Sequence, residues 1–346
     1  MKREAPNSDQ DELAKCLERA WAALEAGDPT AATRAADEAV RLAPEDPEAL
    51  TARGVARTAN GDDEAALVDF RLALEIDPEF AAPALYAAEI LVDPERDPEE
   101  ALRLAETALE VAEAEEDFID AVLIRAQALL HLGRNDEARS ALAELPPVEL
   151  PDAEHHLRAA WLLLDLGVLD DTEHHLRHAL SLNPESADAY HAIGLVAEAR
   201  DHYEAQIKAW LRTRELDLAE PAPPWSVSPA QFEAIAEEAL AELPERARAL
   251  LANVPIVAED VPSVDVVAEG YDPRLLGLFS GVPYPEKSSV TGAIPHLDAI
   301  HLYQRNIERV CRSRDEVESE IRTTVLHETG HFFGLSEEDL EEMGLG

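Results

Sequence analysis

Gly27-Asp28-Pro29-Thr30-Ala31-Ala32 returns as Gly61-Asp62-Asp63-Glu64-Ala65-Ala66, 34 positions later. Ala39 and Ala73 keep that offset, and so do Pro44 and Pro78. Gly133 and Gly167 repeat it, as do Ala160 and Gly194, and Pro184 closes the unit that holds Gly167 and Ala179. A fixed period of this length marks a stack of helical hairpins. The Gly, often followed by Asp, breaks the chain between two helices. Ala32, Ala66, Ala101 and Ala138 let the second helix approach the first closely, and the Pro ends the second helix. One hairpin cannot bury its apolar face alone, so the units stack. Units starting near residues 13, 47, 82, 119, 153 and 187 predict an α-helical solenoid over residues 13–217, behind an N-terminal tail of residues 1–12.

The composition agrees. Apolar residues make up 46% of the 346 positions, aromatics only 5%, and alanine and leucine dominate, which favours helix. The net charge of −44 repels polyanions and excludes nucleic acid and anionic membranes as partners, while a basic partner or substrate is compatible with it. Cys16 and Cys311 build neither a disulfide framework nor a cysteine zinc site. No apolar run reaches 18 residues and no signal peptide is visible, so a cytoplasmic location is expected.

Periodicity stops at residues 218–229, where four prolines predict a stiff, extended linker and the domain boundary. Residues 230–346 have a different texture, that of a small α+β domain. An amphipathic helix over 230–252 is interrupted near Pro244. Strands are expected at 254–258, 264–267, 275–280 and 299–303, a turn after Gly281 and a polar loop over 284–295. A short helix over 304–312 precedes a long one over 314–333, which Ser313 and Glu316 would start as a capping box.

That last helix carries His327-Glu328-Thr329-Gly330-His331. Residues four apart share a helix face, so His327 and His331 point the same way and could hold one Zn²⁺. Glu328 sits about 100° round the helix, where a general base for an attacking water belongs. A third ligand is needed. Gly334 accepts the left-handed conformation that ends a helix, and the chain can then turn back to offer Glu337 or, next, Asp339. Glu338, Glu341 and Glu342 are weaker alternatives. Elsewhere, His174 and His178 are four apart among the histidines of the fifth unit, and a second metal site there is conceivable, although a polar helix face is the better account.

Residues 13–217 resemble the tetratricopeptide repeat family in period and in their Gly, Ala and Pro positions. Departures are Pro94, Pro98 and Glu113 in the third unit, Leu145 in the fourth, and Gln206 and Thr213 in the sixth, which read as loosened or capping units. The resemblance implies a concave face that binds peptides or partner proteins. Residues 230–346 resemble the minimal zincin-like metallopeptidase family, through Ala241-Glu242-Leu243-Pro244-Glu245-Arg246, Leu275-Leu276-Gly277-Leu278-Phe279, Ile300-His301-Leu302-Tyr303 with Arg305, and the HExGHxxGL stretch at 327–335. It implies His327, His331 and Glu337 as zinc ligands, with Glu328 as base. It also implies a peptide substrate paired along the 275–280 edge, touching Leu278 and Phe279. His296, His301, Tyr284, Tyr303 and Arg305 are candidate donors to the oxyanion, His301 and Tyr303 being kept as substrate contacts. Two functions compete: a zinc peptidase whose repeats recruit substrate or adaptor, and a repeat-based scaffold with a catalytically idle zinc-binding module.

Overall fold

The structure is a computed structural model that describes residues 8–146, 150–284 and 298–343, with only the backbone of Ser8, Asp9, Glu337, Glu341 and Glu342. The chain divides into two compact units, Met1–Pro184 and Glu185–Gly346.

The first unit is helical throughout. Its five hairpins are α1 (Ser8–Glu25) with α2 (Pro29–Leu42), α3 (Pro47–Thr58) with α4 (Asp63–Ile76), α5 (Ala81–Leu91) with α6 (Pro98–Val111), α7 (Glu115–His131) with α8 (Asn135–Leu142), and α9 (Ala153–Asp165) with α10 (Leu169–Leu182). Gly27, Gly61, Gly133 and Gly167 turn four of them, with φ between 69° and 79°, a region that costs other residues strain. Asp28 and Asp62 follow as N-caps, accepting from the N–H of Ala31 and Ala65. Ala32, Ala66, Ala101 and Ala138 are fully buried at the helix crossings. Pro98 is tolerated in the third unit because it occupies the first turn of α6.

The second unit begins with a sixth hairpin, α11 (Ala187–Ala199) and α12 (Tyr203–Ala219). Asp201 takes the place of the turn glycine, with φ 55°. At the two alanine positions, Gln206 donates to Glu198 (3.0 Å) and Thr213 to the Ala209 carbonyl (3.2 Å), which satisfies both buried polar groups. The repeat period thus runs past the point where packing divides the chain. Side-chain bonds lock this hairpin to the rest of its unit. Asp217, 2% exposed, accepts two bonds from Arg274 and pairs with Arg309 at 2.8 Å. His191 faces Asp272 at 2.8 Å, and the Tyr203 hydroxyl donates to the Ala268 carbonyl at 2.6 Å. The proline-rich stretch expected to be a linker is docked too. Trp225 Nε1 donates to the Glu308 carbonyl, and Ser226 and the Val227 N–H donate to the Glu308 carboxylate.

Beyond it come α13 (Pro229–Glu242), started by a Ser228/Gln231 capping box, and α14 (Glu245–Leu251), so the break at Pro244 is as expected. The chain continues through β1 (Ile256–Glu259), α15 (Val264–Ala268), β2 (Gly277–Ser280), β3 (Ala299–Tyr303), α16 (Gln304–Val310), α17 (Arg314–Phe332) and α18 (Glu337–Glu342). The strand expected over 264–267 is therefore corrected to a helix. Ser263 accepts from the Val266 N–H and caps it, a local bond that overrides the β preference of three valines. The sheet order is β1-β3-β2, with β1 parallel and β2 antiparallel to β3. Ile300 and Leu302 of β3 are fully buried in a core with Phe232, Ile307, Val317, Ile321, Val325 and Phe332. Most of the expected polar loop lies outside the described residues.

Candidate metal centre and cleft

Helix α17 starts where Ser313 accepts from the Glu316 N–H, but the Glu316 carboxylate takes the Arg312 N–H rather than closing the box on Ser313. The helix ends at Gly334 (φ 81°). There the Gly334 N–H donates to the His331 carbonyl (2.9 Å) and the Leu335 N–H to the Gly330 carbonyl (3.1 Å). This pair of bonds is the Schellman closure, and it turns the chain sharply back. Leu340 of α18, fully buried, fills the space that a Cβ at Gly330 would take. Gly330 therefore lets α18 lie against the histidine helix.

His327 and His331 share one face as the spacing requires. Their Nε2 atoms are 3.0 Å apart and their ring planes cross at 78°. Two nitrogens each 2.0–2.1 Å from one tetrahedral zinc would stand about 3.3 Å apart, so the pair fits that ion with little adjustment. His331 Nδ1 lies 3.3 Å from the Leu335 carbonyl, a contact that favours the proton on Nδ1. Among the described residues no group of three His, Cys, Asp or Glu could hold a metal ion. The Glu337 side chain lies outside the described residues, although its backbone opens α18. Asp339 is exposed, and its carboxylate accepts from the Ser336 N–H (2.9 Å) and hydroxyl (2.7 Å); the hydroxyl bond leads in holding it below its ordinary pKa. Two imidazole nitrogens thus converge at a spacing that one zinc ion would accept, and imidazole is a donor that suits zinc.

Glu328 is 5% exposed, and its Oε2 accepts from the Phe279 N–H at 2.6 Å. It is buried but not sealed, because with His327 it lines a cavity of about 220 Å³. Gly277 makes room for it: a Cβ there would stand 2.8 Å from Glu328 Cγ, from its Oε1 and from Thr324 Cγ2. Strand β2, at the edge of the sheet among the described residues, therefore faces Glu328 directly, and Phe279 stacks edge-on against Phe332 at 5.8 Å.

The other expected contacts are distributed differently. Leu278 pairs in register with His301, and His301 bridges Glu259 (3.1 Å) and Ser280 (3.2 Å) across the three strands. Tyr303 is fully buried; among the described residues its hydroxyl has no hydrogen-bond partner, and burial, then Glu259 and Glu328, raise its pKa. Arg305 is engaged with the carbonyls of Leu218 and Glu220. Tyr284 is 45% exposed, with its ring 6.0 Å from Phe332. His296 lies outside the described residues. Gly277 and Glu320 carry no motif, because only tertiary contact brings them to Glu328 and the cavity it lines.

In the first unit, His156, His174, His175 and His178 gather, with His156 and His175 Nδ1 atoms 3.0 Å apart and the His174 and His178 rings at 4.6 Å. Burial, then neighbouring imidazoles, lower the pKa of His156 and of His175 to about 4. No three of them meet the requirement for a metal site.

Residues 251–346 match the zincin-like metallopeptidase family, and residues 17–79 and 95–153 match the tetratricopeptide repeat. The chain thus joins tetratricopeptide repeats to a zincin-like metallopeptidase domain. Among solved structures, pilF of Pseudomonas aeruginosa is similar with a TM-score of 0.52 and 15% identity, over 61% of this chain and 94% of that one. PilW, a widely conserved type IV pilus biogenesis factor, gives 0.52 and 17% over the same shares. At these identities the likeness shows the fold alone. No curated protein matches the chain. Among the described residues no helix is long and apolar enough to cross a membrane.

Proposed function

We propose that the chain is a zinc-dependent peptidase whose repeats hold a substrate or partner protein. The observation that carries this reading is the convergence of His327 and His331 Nε2 atoms at 3.0 Å, with the Glu328 carboxylate set beside a cavity it shares with His327. His327 and His331 would hold the ion, with Glu337 as the third ligand. Zinc held there would polarise a peptide carbonyl and make a water more acidic. Glu328 takes the proton from the attacking water and hands it to the leaving amine. The Phe279 N–H orients the Glu328 carboxylate through Oε2. The substrate lies against β2 at Leu278 and Phe279, held there by side-chain contact, because the Phe279 N–H is already committed to Glu328.

Glu328→Gln tests the reading. Purified, zinc-loaded wild-type chain cleaves a mixed peptide library, while the variant keeps one equivalent of zinc and loses cleavage by at least a hundredfold. The second reading, an interaction scaffold with an idle zinc module, draws on the burial of Glu328 and its bond to β2. Equal behaviour of wild type and variant, with zinc bound in both, would establish it.

A further inference from the structure

The cavity beside the base has a chemical character of its own. Leu275 and Leu276 form one wall; Glu320, Thr323, Thr324 and His327 of α17 form the other. Positions 320, 324 and 327 follow the spacing of a single helix face. The volume of about 220 Å³ is below the ~300–1,000 Å³ of sites for whole small molecules, and is of the order of one amino-acid side chain. Seven residues of helix rise about 10.5 Å from Glu320 to His327. A long side chain entering beside His327 would end near Glu320.

We infer that this cavity receives a substrate side chain next to the scissile bond, and that Glu320 makes it select arginine or lysine. The inference rests on the peptidase reading and names its substrate class. The two leucines suit the alkyl stem of a basic residue, while its charged head reaches the far end of the pocket. Glu320 is half-buried, so its carboxylate is less screened than a surface acid. Thr324 Oγ1 donates to the Glu320 backbone carbonyl at 2.9 Å, and among the described residues no ion pair engages the Glu320 carboxylate. Thr323 and Thr324 add no charge. An acidic side chain would meet Glu320 as a like charge, and a neutral one would leave the carboxylate without a counter-charge.

The test separates binding from turnover. Fluorescein-labelled alanine-glycine peptides carrying one arginine, its neutral isostere citrulline, or glutamate at a scanned position are titrated against zinc-loaded full-length Glu328→Gln protein. Arginine at one particular position should bind at least tenfold tighter than citrulline there. Adding Glu320→Gln should reduce that ratio below threefold, and Glu320→Lys should favour the glutamate peptide, with zinc content and thermal midpoint unchanged. Cleavage by the Glu328-containing protein should show the same ranking in kcat/KM. The general attraction of an acidic protein for basic peptides depends neither on position nor on Glu320, so a preference that survives Glu320→Gln overturns the inference. Cleavage without an arginine preference overturns it too and leaves the peptidase standing. Zinc-loaded protein that binds and cleaves no peptide overturns both.

Discussion

Gly277→Ala offers a direct measure of how closely β2 and Glu328, the proposed base, are fitted. Gly277 has none of the positive φ values that glycine alone tolerates, so alanine is allowed by the backbone. The new methyl would stand 2.8 Å from Glu328 Cγ and Oε1 and from Thr324 Cγ2, whereas ordinary contact begins at 3.4 Å. Something must therefore move by at least about 0.6 Å, the difference of those two distances. Glu328 is tied by the Phe279 N–H at 2.6 Å, so its carboxylate cannot retreat without straining that bond. A misplacement of about 1 Å can cost ~10²-fold in rate, so kcat/KM should fall roughly ten- to a hundredfold. Alanine in a strand gains about 0.5–1 kcal/mol over glycine, which offsets part of the strain and keeps the fold near wild-type stability. The assay is cleavage of a quenched peptide library at matched zinc content. Thr324→Ser removes Cγ2 while keeping the hydroxyl that donates to Glu320, so the loss should persist in that background. Activity within twofold of wild type in Gly277→Ala would refute the argument. Full recovery in the double variant would show that the helix, rather than Glu328, had moved.

Asp217→Ala should destabilise the second unit by about 1–3 kcal/mol in urea titration, because Arg274 and Arg309 would lose their buried partner and keep only the exposed Asp188 (2.7 Å) and Glu220 (3.3 Å); a loss below about 0.5 kcal/mol would mean that the ion cluster is solvated. The pH dependence of the first unit follows from His156 and His175, whose folded pKa of about 4 lies below the ordinary 6.5. The unfolded chain binds the extra protons between those values, so their contribution is fully present above pH 6.5 and is lost as pH falls toward 4. The thermal midpoint of the wild type should fall more steeply over that window than that of His156→Leu, and parallel slopes would contradict the assignment.

The two-part architecture is legible in the residues because both of its signals are local. A glycine that turns, alanines that permit close crossing and a proline that stops a helix act within one repeat, so Gly27, Gly61, Gly133 and Gly167 can be placed without knowledge of any contact. The His327/His331 pair is equally local, since one helical turn fixes it. The short 264–267 segment misleads because a single cap at Ser263 outweighs valine propensity. The proline segment reads as a stiff, extended linker, and its docking is not legible because its partner, Glu308, lies some eighty residues away in sequence.

The sequence alone determined the helical period, the chain reversal at Gly334 and the shared face of His327 and His331, since each depends on backbone geometry within a few residues. The tertiary structure alone decided that Gly277 is the hollow for the Glu328 carboxylate and that Gly330 is the seat of Leu340. It alone joined the last hairpin to the zincin-like domain through Asp217. These are contacts between segments distant along the chain, and only packing in three dimensions brings their atoms within range of one another.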